Sequence, residues 1–498
     1  MNKYIRKVDS RFAYDDEIKN TTTEFDLSSK TGVLRSGPVI LKEGSNVYMN
    51  AKDIHTLVVG STGSMKTRRC IMPMLQLLIK AGESMIVNDP KGELYKMCKS
   101  PLEKAGYKTI VLNLRDPMYG NRWNPLGLPD KLYKEGQVDK SNAMLEDLAN
   151  SIFFELAATT DDVFWTNAAR KYFVGIAQIL FDHAYSDEQI NFKSMCMVDA
   201  LGFEFSERRK TIYKEFYELV GKESSNYINM STTVNAPNDT RESIRSTFNA
   251  PMSIFSSQEG LIDMLSDSDF DLRNIGKEKT AIFIIAPDEK TIYNSIITAF
   301  IKQVYTVLID EADEYDNLEL PVRVNFVLEE FGNIPKLQDV HAMLTAARSR
   351  NIRFHLVVQS ANQLYNIYGK EATEILMGNC DLWIYLNSKD LPLLNKISEL
   401  CGRYKSEYTN EEGPLLSVSK LQRFSKIKGE ALVLYERNYP YISYLPDISE
   451  YDFEYDTNAK IRENKREKTE VEAFDIKSYV ETDLYLANLE KLEAENSI

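Results

Sequence analysis

Cysteine is scarce in this sequence. Its five thiols, at positions 70, 98, 196, 380 and 401, form no C-x-x-C pair, and their number is odd. That excludes a disulfide framework and points to reduced thiols in a cytoplasmic setting. Histidine is scarcer, with 4 residues and no metal-ligand spacing, which argues against a zinc or His-based catalytic centre. The opening MNKYIRKVDSRFAYDDE lacks the apolar core of a signal peptide. No stretch is read as reaching the roughly 18 to 20 apolar residues of a membrane helix. Strings such as AIFIIAP, Ala281 to Pro287, have the length of core strands. An excess of positive charge is also missing. The net charge of -14 argues against a general nucleic-acid coat, although a local basic channel inside an acidic shell stays open. The expectation is a cytoplasmic protein, peripheral at the inner membrane face only where a partner holds it there.

What is present is ordinary globular material. Hydrophobic residues make up 43% and charged residues 27% of 498 positions, enough for a sizeable core and for more than one domain. The organising stretch is HTLVVGSTGSMKTRR, His55 to Arg69. Leu57-Val58-Val59 reads as a strand, Gly60 and Gly63 as a tight loop, and Arg68 to Ala81 as a helix. This is the strand, loop and helix plan of a P-loop, with Gly60, Ser61, Thr62, Gly63, Ser64, Met65, Lys66 and Thr67 around the phosphates of a nucleotide. Lys66 would reach the β/γ oxygens and the Thr67 hydroxyl would ligate Mg²⁺. Met65 stands where the pattern has glycine. The competing reading is a Gly/Ser turn with a surface lysine.

Further strands carry acids and amides at their ends. Met85 to Val87 leads to Asp89, which either faces the nucleotide or caps the helix starting near Gly92. Asn325 to Leu328 ends in Glu329 and Glu330, suited to holding the metal and polarising the attacking water, or else two solvated loop acids. Phe354 to Val358 ends in Gln359, a sensor for the γ-phosphate or a loop amide. Arg348 and Arg350 end the helix before it and also fit the helix dipole. Other strands are read at Thr109–Leu114, Thr280–Glu289 and Asp381–Asp390, with two more in ALVLYERNYPYISYLPDI.

Between these strand-rich stretches the texture is helical. LEDLANSIFFEL and FWTNAARKYFVGIAQILFDHA are amphipathic, and Trp165 is read as packing core in preference to a base-stacking platform. The division expected is 1–126 and 259–455 for a sheet domain, 127–258 for an inserted all-α domain, and 456–498 for an acidic tail. Thr469 to Ile498 carries eight acids against two lysines, which suggests a solvated segment.

Taken together, HTLVVGSTGSMKT, IVNDPKGELY, FWTNAAR, VNFVLEEFGNIPKL, AARSRNIRFHLVVQSANQL and GEALVLYERNYPYISYLP resemble the type IV coupling proteins over roughly residues 8 to 452. The resemblance implies an α/β, RecA-like P-loop NTPase domain with an inserted all-α domain, assembling as a homo-hexamer. It implies ATP and Mg²⁺ as cofactors, and DNA or a relaxase–DNA complex delivered to type IV secretion channel proteins. It assigns Lys66, Glu330, Arg348 and Gln359 to catalysis, Arg348 as a finger on a neighbouring subunit's ATP, and Thr67 with Glu329 to the metal. Most members begin with membrane helices, so this chain is expected to use a membrane-anchoring partner. Glu329 replaces the usual Asp. Lys420, Arg423, Lys426 and Lys428 are candidate phosphate contacts or a solvated basic face. Two alternatives stay open: an ATP-binding substrate receptor with weak turnover, and a coupling ATPase for protein effectors.

Overall fold

A computed structural model describes residues 10–29, 32–154, 156, 163–287, 289–405, 412–455, 459–482 and 486. The chain divides into two compact units. One comprises 1–111, 272–289 and 307–461, the other 112–271, 290–306 and 462–498.

After a short helix, Asp15–Thr21, the first unit forms a small antiparallel sheet of β1 (Thr23–Asp26), β2 (Val39–Glu43) and β3 (Asn46–Met49), in the order β1-β3-β2. The large sheet follows. Its strands are β4 (Thr56–Gly60), β5 (Ser84–Asn88), β6 (Lys108–Asn113), β7 (Thr280–Ile285), β8 (Val324–Leu328), β9 (Ile352–Val358) and β10 (Leu382–Asn387). After a two-stranded ribbon, β11 (Arg403–Lys405) and β12 (Glu412–Pro414), it is completed by β13 (Glu430–Tyr435) and β14 (Tyr441–Tyr444). The order is β14-β13-β10-β4-β9-β8-β5-β7-β6. The run from β10 to β7 is parallel, while β13 and β14 pair antiparallel. Strands β4, β5, β7, β8 and β9 are buried along their whole length. Helices cover both faces of such a sheet, so its strands are continuous apolar runs without alternation.

One polar cluster sits among the strand starts. Glu83, just before β5, accepts hydrogen bonds from Arg353 at 2.9 Å and Asn325 at 2.9 Å and pairs with Arg323 at 3.5 Å. Arg353 is fully buried. These residues sit in or beside apolar strands and give no spacing signal in sequence.

In the second unit, the described residues between 127 and 258 are mainly helical. The longest helices are Val138–Ile152, Val163–His183 and Asn238–Met252. Tyr172, Phe173, Tyr213, Phe216 and Phe248 fill the core. Trp165 is half-buried, with its ring 5.0 Å from that of Phe164, an exposed neighbour.

Two expectations need refining. Among the described residues, one helical stretch, Thr291–Ala312, is long and apolar enough to cross a membrane by length and composition alone, and most of it is buried inside the fold, as a core helix is. Lys302 and Gln303 interrupt its apolar letters, so no unbroken run is visible in sequence. The C-terminal segment is also less solvated than its charge suggests. Phe474, Ile476 and Val480 are fully buried, Lys193 donates to Val471 O at 2.7 Å, and Arg466 pairs with Asp263 at 2.7 Å. Counting charges missed that apolar spacing. Residues 483–485 and 487–498 lie outside the described residues.

Candidate functional site

The loop after β4 is built by two glycines and one exception. A Cβ on Gly60 would sit 2.4 Å from Ser64 Oγ and 2.9 Å from Lys66 Cγ, so only glycine leaves room for the turn. Gly63 has φ +75, which favours glycine. Met65 has φ +68, so the missing motif glycine leaves a side chain in the left-handed region. The helix then starts with a π-turn, Thr67–Ile71, closed by Met72 N–H donating to Thr67 O. Pro73 follows with no N–H to satisfy. The helix Met72–Ala81 ends on Gly82 at φ +72.

Lys66 is buried and folds back on the loop, its Nζ donating to Gly60 O at 2.6 Å. Burial pulls its pKa down, and the carboxylates of Glu330 and Glu329 oppose that pull. Thr67 Oγ1 donates to the Glu329 carboxylate. Burial pushes the Glu329 pKa up, against the Thr67 hydrogen bond. Glu330 is held at φ +52, and its Oε2 accepts from Gln359 Nε2 at 2.7 Å. Gln359 Oε1 in turn accepts from Thr62 Oγ1 at 2.9 Å. A continuous chain therefore runs from the loop through the end of β9 to the end of β8. Gln359, Thr62 and Ser61 also line a polar cleft of about 550 Å³ with Ser388, Lys389 and Asp390.

Asp89 satisfies its local role first. Its Oδ2 accepts from Tyr95 N–H at 2.8 Å, holding the start of the helix Glu93–Lys104. Its other oxygen is buried without a hydrogen-bond partner. Burial pushes the carboxyl up to about 7, and the charge of Glu329 adds to this.

Arg348 is not brought to this cluster. Its Nε donates to Asp53 O at 3.1 Å and its Nη1 pairs with Asp381 at 3.0 Å. Asp53 and Asp381 precede β4 and β10, so Arg348 lies at the amino ends of the strands. Gln359 lies at the carboxyl end of β9, which has 7 residues, or about 23 Å of strand. Arg350 donates to Ala346 O at 3.3 Å, as a helix-terminal cation does. Lys420, Arg423, Lys426 and Lys428 are exposed.

Sequence reading missed two amides. Asn88, ending β5, donates to Glu329 O at 2.7 Å, and the backbone carbonyl of Asn387, ending β10, accepts from Ser61 N–H at 2.8 Å. Their signal was position: both close strands flanking those already identified.

A family model described as type IV secretory system conjugative DNA transfer matches residues 11–423. VirD4 of Agrobacterium fabrum (strain C58) is 22% identical over 140 residues, 28% of this chain and 20% of VirD4. VirD4 of Rhizobium radiobacter matches equally, at 22% over 140 residues. The match thus spans about a fifth of these relatives' length. The plasmid coupling protein TrwB in complex with the ATP analogue ADPNP superposes with TM-score 0.64 at 15% identity, over 91% of this chain and 95% of that one. TrwB in complex with ADP and Mg²⁺ gives 0.60 at 16% identity, over 88% and 94%. The likeness bears out the RecA-like P-loop fold, and with the family match it shows that this chain belongs to the type IV secretory system conjugative DNA transfer family.

Proposed function

We propose that this protein is an ATP-hydrolysing coupling protein that delivers DNA, as a relaxase–DNA complex, to a type IV secretion channel. The observation that carries the reading is the convergence of Lys66, Thr67, Glu329, Glu330 and Gln359 at the carboxyl ends of β4, β8 and β9. The loop Gly60 to Thr67 would hold the phosphates, and Lys66 would exchange its bond to Gly60 O for the β/γ oxygens. Thr67 and Glu329 offer a hydroxyl and a carboxylate in contact, a hard oxygen set that suits Mg²⁺. Bound there, Mg²⁺ would neutralise phosphate charge. Glu330 would accept the proton of the attacking water, and Gln359, bonded to both Glu330 and Thr62, would report whether the γ-phosphate is present.

Arg348 is too far from its own chain's cluster to serve it, which favours a finger acting on a neighbouring subunit in a homo-hexamer. We assign residues 1–126 and 259–455 to the motor domain and 127–258 to substrate recognition. DNA or a relaxase–DNA complex, channel proteins and a membrane-anchoring partner complete the proposed setting, on the cytoplasmic face of the membrane.

A second reading is an ATP-binding receptor with little turnover. Met65 at φ +68 and Glu329 in place of Asp favour it. ATP hydrolysis by the purified chain, with and without DNA, separates the two. DNA-stimulated turnover abolished by Lys66→Ala and by Glu330→Gln supports the motor. ATP binding without turnover under any condition overturns it, and turnover indifferent to DNA favours a coupling ATPase for protein effectors.

A further inference from the structure

The segment Lys420 to Lys428 is fastened to both ends of the phosphate loop. At one end Asn387 is the bridge. Its carbonyl accepts from Ser61 N–H at 2.8 Å, its Oδ1 accepts from Ser61 Oγ at 3.3 Å, and its Nδ2 donates to Gln422 O at 3.4 Å. At the other end Arg69, buried in the π-turn beside Thr67, donates to Leu445 O, to Lys426 O at 3.1 Å and to Ile427 O at 3.2 Å. Gly429 closes this packing: at φ +71, a Cβ there would sit 2.1 Å from Leu445 O. Leu421 and Phe424 are buried beneath the segment. Its outer side presents Lys420, Arg423, Lys426 and Lys428, all exposed, in a chain whose net charge is -14.

From this we infer that the Lys420–Lys428 segment is a contact site for the phosphodiester backbone of single-stranded nucleic acid, and that Asn387 and Arg69 carry its occupancy to the phosphate loop. The site rests on the DNA reading above. Four cations on a segment hydrogen-bonded to the fold at Gln422, Lys426 and Ile427 suit repeated phosphates and carry no base-reading pattern. A single exposed apolar side chain, Ile427, is too little to insert into a bilayer. Because binding linkage is reciprocal, DNA at this segment and nucleotide at the loop must alter each other's affinity equally.

The test is binding of a single-stranded oligonucleotide and of a fluorescent ATP analogue to the full chain, each with and without the other ligand. Replacing the four cations by alanine is expected to weaken oligonucleotide binding about tenfold or more. It should also flatten the log–log salt dependence by up to roughly three, at about 0.7 per phosphate. Replacing the three lysines by arginine should restore both, which a folding defect would not allow. Asn387→Ala removes the side-chain bonds to Ser61 and Gln422 but keeps the backbone carbonyl bond and the Arg69 bridge, so it is expected to keep oligonucleotide affinity and weaken the mutual effect between the two ligands. Unchanged oligonucleotide affinity in the alanine variant overturns this site alone. So does an alanine variant that instead loses binding to phosphatidylglycerol vesicles. No oligonucleotide binding by the unmodified chain overturns the site and the DNA reading together.

Discussion

Met65 occupies a backbone conformation that a residue with a Cβ adopts at a cost of about 1–2 kcal/mol. Glycine normally weakens a protein by about 0.5–1 kcal/mol through its unfolded-state freedom. At this position the two effects offset each other. Met65→Gly is therefore expected to leave the melting temperature unchanged or raised, whereas Met65→Val should lower it; a clear drop with glycine would contradict the strain. Asp89 makes a second prediction at this scale. Its folded pKa of about 7 lies above the ordinary carboxylate value, so between about pH 4 and 7 the folded state holds a proton that the unfolded state has lost. Stability from this group is present at low pH and is lost as pH rises through that window, at about 1.4 kcal/mol for each pH unit crossed. Urea titrations of nucleotide-free protein should show Asp89→Asn escaping that loss and gaining on the unmodified chain as pH rises to 7. Equal pH slopes would contradict it. Lys66, Thr67, Glu329, Glu330 and Gln359 were legible because each ends a recognisable strand or motif. Asn88 and Asn387 were not, since one amide at a strand end looks like any loop amide.

At the scale of elements, the parallel strands were legible because burial on both faces leaves continuous aliphatic runs. The π-turn at Thr67–Ile71 was not, because helical periodicity does not report a single extra residue. The polar cluster around Glu83 was invisible for a similar reason: Asn325, Arg353 and His355 interrupt strand patterns without pointing to one another. That cluster predicts a large effect. Glu83→Ala would strip Arg323 and Arg353 of their buried carboxylate partner. The expected loss is about 3–5 kcal/mol, because an uncompensated buried charge remains. Equilibrium urea unfolding checks this, and a loss under about 1 kcal/mol, the range of an exposed pair, would show that the cluster relaxes to water.

At the scale of the whole molecule, one chain holds two separated parts of a proposed ATPase site. The phosphate loop with Glu329, Glu330 and Gln359 lies at the carboxyl ends of the strands, and Arg348 lies at the amino ends. The family resemblance implies a finger given to a neighbour; the distance along β9 supplies a physical reason for it. Arg348→Ala is expected to keep ATP binding and lose about 10³-fold or more in turnover. The most direct measurement is DNA-stimulated hydrolysis by mixed subunits. Lys66→Ala keeps Arg348 but lacks the phosphate contact, and Arg348→Ala is the converse. Each alone should be inactive. Mixed in equal amounts, roughly a quarter of ring interfaces would join an intact loop to an intact arginine, and turnover should reappear. A mixture no more active than its two components would contradict an ATPase site completed between subunits.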